Sequence, residues 1–100
     1  MTVQDGSGGA YPRSVHKLLD KMRRSRYGWG EVQLRKLYEG FGFAGRDVGD
    51  HVCYHHPSHP DLRGQVPRHR SLREYVVSDA IEAVEELLRR DGKEAGDEGS

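Results

Sequence analysis

Cysteine is nearly absent from this chain. Cys53 stands alone in 100 residues, so no internal disulfide can form and the staples that hold many small secreted domains are excluded. Long hydrophobic runs are missing as well. No apolar stretch approaches the roughly 18 to 20 residues that a membrane-spanning helix needs, and the opening MTVQDGSGGA has neither the basic start nor the apolar run of a signal peptide. These absences predict a cytoplasmic protein with no membrane partner. Large apolar side chains are sparse at both ends: residues 1–11 read as a disordered tail, and residues 91–100 (DGKEAGDEGS) as a disordered acidic one. A single domain over residues 12–90 remains, too small for a two-domain enzyme.

What is present is positive charge. Residues 12–90 hold 15 of the 16 Lys and Arg, 11 of the 16 Asp and Glu and all six His, a formal charge of +4 inside a chain that sums to zero. Such a domain suits a polyanionic partner, although a solvated basic surface has the same composition. Val15, Leu18, Leu19 and Met22 recur at helical spacing after Ser14, a candidate N-cap, and predict a first helix over about 14–25 with Lys17, Lys21, Arg23 and Arg24 on its wet face. After the break SRYGWG, Leu34, Leu37, Tyr38 and Phe41 predict a second helix closed by Gly42.

From Phe43 the period changes to two. Phe43 to Val48 is a candidate strand, Gly49-Asp50 a tight turn, and His51 to His55 a strand with Val52 and Tyr54 on one side and His51, Cys53 and His55 on the other. The turn-rich Pro57-Ser58-His59-Pro60-Asp61 reads as a loop, Leu62 to Val66 as a third strand stopped or placed at an edge by Pro67. Ser71 and Glu74 have capping-box spacing before a last amphipathic helix that ends near Arg90, with Arg89 and Arg90 at its negative pole. The predicted class is α+β, in the order α-α-β-β-β-α, with a three-stranded antiparallel sheet covered by helices on one face.

Five of the six histidines fall between His51 and His69. A small zinc-binding regulator is one reading of them, but no C-x-x-C or H-E-x-x-H spacing supports it, and the sequence implies no metal or other cofactor. Cys53 reads as a buried small hydrophobe and His55, His56 and His59 as solvated loop residues. Proton transfer is the other use of histidine. Metal-independent RNA cleavage needs a base for the 2′-hydroxyl, an acid for the leaving 5′-oxygen and cations for the phosphate, and His51, His69, Arg68 and Arg70 supply those groups.

The runs LRKLYEGFGF (34–43), GDHVCYHHP (49–57) and VPRH (66–69), followed by a last helix, resemble in kind and order the motifs of the HicA family of toxins. The likeness spans roughly residues 15–90 and includes the leading His16-Lys17-Leu18-Leu19. It implies a fold like that of double-stranded RNA-binding domains, an mRNA-cleaving endoribonuclease activity and a HicB-like antitoxin as protein partner. In this family the histidine of the G-x-H motif is the catalytic one, which here is His51. The return strand and loop expected beside the His51 strand add His69 as a second proton donor or phosphate ligand. Gly49 lets the phosphate approach, and the basic neighbours Arg46, Arg68 and Arg70 are expected on the RNA. Asp50 stands in place of the family's Ser and Val52 in place of its second His. Two readings follow, an active nuclease and a non-catalytic RNA-binding or antitoxin-binding module.

Overall fold

The structure, a computed structural model, describes residues 11–69 and 71–96. Helices α1 (Arg13–Arg24) and α2 (Glu31–Gly40) are followed by strands β1 (Ala44–Val48), β2 (His51–His56) and β3 (His59–Pro67) and by helix α3 (Glu74–Gly96). The strands form one antiparallel sheet in sequential order. The class and the element order are those the sequence predicts. Among the described residues no helix is long and apolar enough to cross a membrane.

Helix α1 begins after Pro12, without a side-chain cap, so Ser14 lies inside the first turn rather than before it. Proline serves here because its missing N–H costs nothing where no helical acceptor exists. Helix α2 is closed at its start by Gln33, whose Oε1 accepts the Gly30 N–H at 3.0 Å. At its end Gly42 takes φ +88°, the left-handed conformation expected of it. The predicted Ser71 cap is not the start of α3. That helix begins at Glu74, whose carboxylate instead accepts the Tyr27 hydroxyl at 3.0 Å.

Two strand boundaries also differ from expectation. The turn after β2 is only Pro57-Ser58, and β3 starts at His59, three residues earlier than the hydrophobic pattern indicates. Helix α3 runs past Arg90 to Gly96. Arg90 therefore does not close the helix; it holds Asp61 through two bonds of 3.0 and 2.7 Å and Glu86 through one of 2.9 Å, locking α3 to the start of β3. Tyr11 and Asp91, at the edges of the two segments read as tails, meet across the fold in a 2.8 Å hydrogen bond.

Helices α2 and α3 cover one face of the sheet, and α1 lies against both helices. Leu34, Leu37 and Tyr38 from α2 and Val77, Ala80, Ile81 and Val84 from α3 meet Val52, Tyr54, Leu62 and Val66 from the sheet. At the centre the Tyr38 and Tyr54 rings stack with centroids 4.7 Å apart and planes 12° from parallel. Gly64 makes this possible. A Cβ there would lie 1.9 Å from the Tyr38 hydroxyl oxygen, so the strand can pass over the ring only where it has no side chain.

His56 belongs to this buried layer, a correction to its reading as a loop histidine. It continues the inward series Val52, Tyr54, is 8% exposed, and meets Phe43 edge-on at 5.1 Å. Its Nδ1 accepts the Ser58 N–H at 3.1 Å, which assigns the neutral ring with the proton on Nε2. Burial, with His59 and His55 adding repulsion and Asp91 acting in the opposite sense, holds its pKa below the ordinary 6.5. Unfolding releases the ring to that ordinary value, so the unfolded chain binds more protons just below it and stability falls as the pH drops through that range. Melting temperature is expected to decline between about pH 7.5 and about pH 5.5, and to decline less in His56→Gln. Equal slopes in both proteins would assign the effect to other groups.

Candidate nucleic-acid interface

The register of the sheet decides which side chains share its uncovered face. Val48 and Pro67 flank His51, Arg46 and Gln65 flank Cys53, and Ala44 and Arg63 flank His55. Directly opposed residues in antiparallel strands point the same way. Since Val52 and Tyr54 are buried under the helices, all nine of these positions face outward. The face carries two arginines, two histidines and a glutamine, and none of the nine is Asp or Glu. Cys53, expected to be a buried hydrophobe, lies half-buried on it.

His51 stands at the start of β2, directly after the turn. Gly49 takes φ +63°, a conformation that disfavours any residue with a Cβ, and the space where a Cβ would lie is open. The turn places Asp50 beside His51 with its Oδ1 3.5 Å from Nδ1; the His51 side chain is 31% exposed and that of Asp50 98%. At that separation the carboxylate is a neighbour rather than a strong hydrogen-bond partner, and it lies on the Nδ1 side of the ring.

The other predicted site residues divide into two groups. Arg46 shares the open face with His51, as a phosphate-binding role requires. Arg68 does not. Its backbone N–H extends the sheet by donating to the Asp50 carbonyl at 3.0 Å, while its guanidinium holds Glu31 at 3.1 Å and Asp47, on the helix side of the sheet. Arg68 is thus paired with two carboxylates on the helix side, away from the open face that carries His51 and Arg46. His69 is exposed two residues beyond Pro67, the cross-strand partner of His51, and its carbonyl accepts the Glu31 N–H at 3.3 Å. Arg70 lies outside the described residues.

Two further residues of the face, His55 and Arg63, are not among the predicted site residues, and His55, read as a loop histidine, stands exposed within β2. The period-two spacing from His51 already indicates His55. Arg63 depends on the register of β3, which the two-residue turn sets. Four residues along a strand span about 13 Å, so His55 is too far from His51 to serve the same phosphate and can hold only one further along a bound strand. Among the described residues no group of three or more His, Cys, Asp or Glu is placed to hold a metal ion, which leaves the zinc reading without a ligand set there.

Comparison with protein-family models, with curated proteins and with solved structures returns no match to this chain.

Proposed function

We propose that this protein is a metal-independent endoribonuclease acting on mRNA, the toxin of a HicA/HicB-like pair, with a fold of the double-stranded RNA-binding-domain type. The observation that carries the reading is the uncovered sheet face, where His51 stands among Arg46, Arg63 and His55 with no carboxylate at a paired position. In such a reaction the 2′-oxygen attacks the neighbouring phosphorus as a base removes its proton, and the 5′-oxygen leaves with a proton from an acid. His51, on the open face with Asp50 on its Nδ1 side, is suited to the first role. His69, two residues beyond the cross-strand partner of His51, is the proposed acid, and Arg46 the cation for the phosphate. A HicB-like antitoxin would inhibit by covering this face. Induced expression is expected to arrest growth and His51→Ala to relieve the arrest; equal arrest by both would overturn the reading.

One observation favours a second reading, that of a binding module without cleavage. Arg68 is committed to Glu31 and Asp47, and Asp50 sets a negative charge beside the histidine. Either reading requires the open face to hold phosphates. Replacing Arg46 with Gln is expected to weaken RNA binding evenly across sequences and to reduce the slope of log affinity against log salt by about one. An unchanged slope, measured by titration at several salt concentrations, would remove Arg46 from the interface.

A further inference from the structure

Two tyrosine rings stand in solvent at the end of the molecule that carries His51. Tyr27 is 70% exposed and Tyr75 63%. With Arg73, Glu74 and Ser78 they line one shallow concavity of about 500 Å³. The loop that bears Tyr27 is held firmly. Its hydroxyl donates to Glu74 at 3.0 Å, the Trp29 indole N–H donates to the Ser25 carbonyl at 2.7 Å, and the Leu72 N–H donates to the Trp29 carbonyl at 2.8 Å. The Glu31 N–H bond to the His69 carbonyl ties the same loop to the end of β3. The Tyr27 ring is thus fixed relative to the sheet, and Tyr75 stands beside it on the first turn of α3, so little order of the Tyr27 loop is lost when something binds there.

The concavity is connected to the open face. Tyr75 also lines a groove of about 740 Å³ that includes Cys53, Gln65 and Pro67 together with Asp79, Glu82 and Glu86 further along α3 and Asp61 at the start of β3, so an anionic chain can use only its Pro67–Tyr75 end. Pro67 is the cross-strand partner of His51. A chain that crosses His51 and leaves over Pro67 arrives at Tyr75. The lining then indicates what kind of chain. It has two aromatic rings, a guanidinium, a carboxylate and a hydroxyl but no aliphatic side chain, so it suits a flat ring with polar edges better than a leucine-like anchor.

We infer that this concavity is a stacking subsite for an unpaired nucleobase, so that RNA is taken as a single strand running from His51 past Pro67 to Tyr75 and Tyr27, with Arg73 on the adjoining phosphate. The inference rests on the open face being the RNA-binding face, and base stacking there stands whether or not the strand is cut. Bases within a duplex already stack on each other and cannot reach a protein ring, so the subsite selects against paired RNA.

The test uses the full chain carrying His51→Ala, to keep RNA intact, and a labelled unstructured 12-nucleotide RNA together with its duplex. Tyr75→Ala is expected to weaken single-strand binding roughly tenfold or more, to leave duplex binding unchanged, and to lose the quenching of Trp29 fluorescence by the single strand. Tyr75→Phe keeps the ring and is expected to bind as the parent does. Since Tyr75 is exposed, thermal melts of these variants should coincide. Unchanged single-strand affinity in Tyr75→Ala, equal losses for strand and duplex, or no RNA binding by the parent would each overturn the subsite. A companion cleavage assay separates the two readings. Cleavage with an unchanged KM in Tyr75→Ala removes the subsite and keeps the nuclease, whereas ring-dependent binding without cleavage by the unmutated chain keeps the subsite and removes the nuclease.

Discussion

His51→Ala is expected to lower the rate of RNA cleavage in excess EDTA by about 10²- to 10⁴-fold, the usual contribution of a positioned general acid or base. The size of the effect follows from position. His51 lies directly after the Gly49-Asp50 turn, between Val48 and Pro67 on the neighbouring strands, so its backbone is fixed on both sides. Its side chain belongs to the open face and takes no part in the hydrophobic core. Removing the imidazole therefore takes away chemistry while leaving the packing intact, and circular dichroism melts of the two proteins should agree. RNA affinity should change much less than rate, because Arg46 and Arg63 remain on the face. The assay follows fragment accumulation from one structured mRNA at saturating protein. Equal cleavage by both proteins would assign the activity to another residue or to a contaminant. Absence of cleavage by either would leave the binding-only reading.

Gly64→Ala is expected to cost about 1 to 3 kcal/mol of stability, the common range for forcing extra atoms into a packed core. For a domain of this size each kcal/mol shifts the melting temperature by roughly 4 to 8 °C, so the loss should be obvious in a thermal melt. The new methyl would meet the Tyr38 hydroxyl oxygen at 1.9 Å and its Cζ at 2.5 Å. Tyr38 cannot move aside easily. It is fully buried, stacked on Tyr54 and packed edge-on against Phe43 at 5.2 Å. Its hydroxyl has no hydrogen-bond partner among the described residues, and burial, together with Asp79 and Tyr54, raises its pKa so that it stays neutral. Tyr38→Phe should accordingly be tolerated, since it removes a buried polar group that satisfies nothing. In the double variant the closest clash is gone, and part of the Gly64→Ala loss should return. A Gly64→Ala melt matching that of the parent would show that β3 can lift away from the ring.

The Tyr54 hydroxyl presents the contrasting case. It donates to Glu39 at 2.6 Å, and burial together with this bond pushes its pKa up to about 12. Two stacked tyrosines thus have opposite polar fates, one satisfied at the edge of the core and one left alone at its centre. Nothing in the local sequence around Tyr38 or Tyr54 distinguishes them.

The amino-acid sequence alone determined the elements and the face on which His51 stands. Periods of 3.6 and 2 are local properties, and the alternation Val52, Tyr54 against His51, Cys53, His55 needs only the geometry of a single strand. The same argument extended by one step would have placed His56 inside, where the structure has it. Proximity to turn residues suggested a loop instead. The start of β3 at His59 differs from the hydrophobic pattern for a similar reason. Two prolines and a serine among 57–60 look like a long loop, yet Pro60 is tolerated at the start of an edge strand, and the turn closes in two residues.

The composition of the site was decided by tertiary structure. Arg46, Arg63 and Arg68 are equivalent on paper, each an arginine in or beside a strand. Register places the first two on the open face, while Arg68 is turned to Glu31 and Asp47 on the helix side. Tyr27 and Tyr75, 48 positions apart in the chain, line one concavity only because the α1–α2 loop and the first turn of α3 are joined at Glu74. Pairing between distant segments depends on strand register and helix docking, which no local window of sequence contains. A side chain's period assigns its face, but its partners are set by the packing of the whole chain.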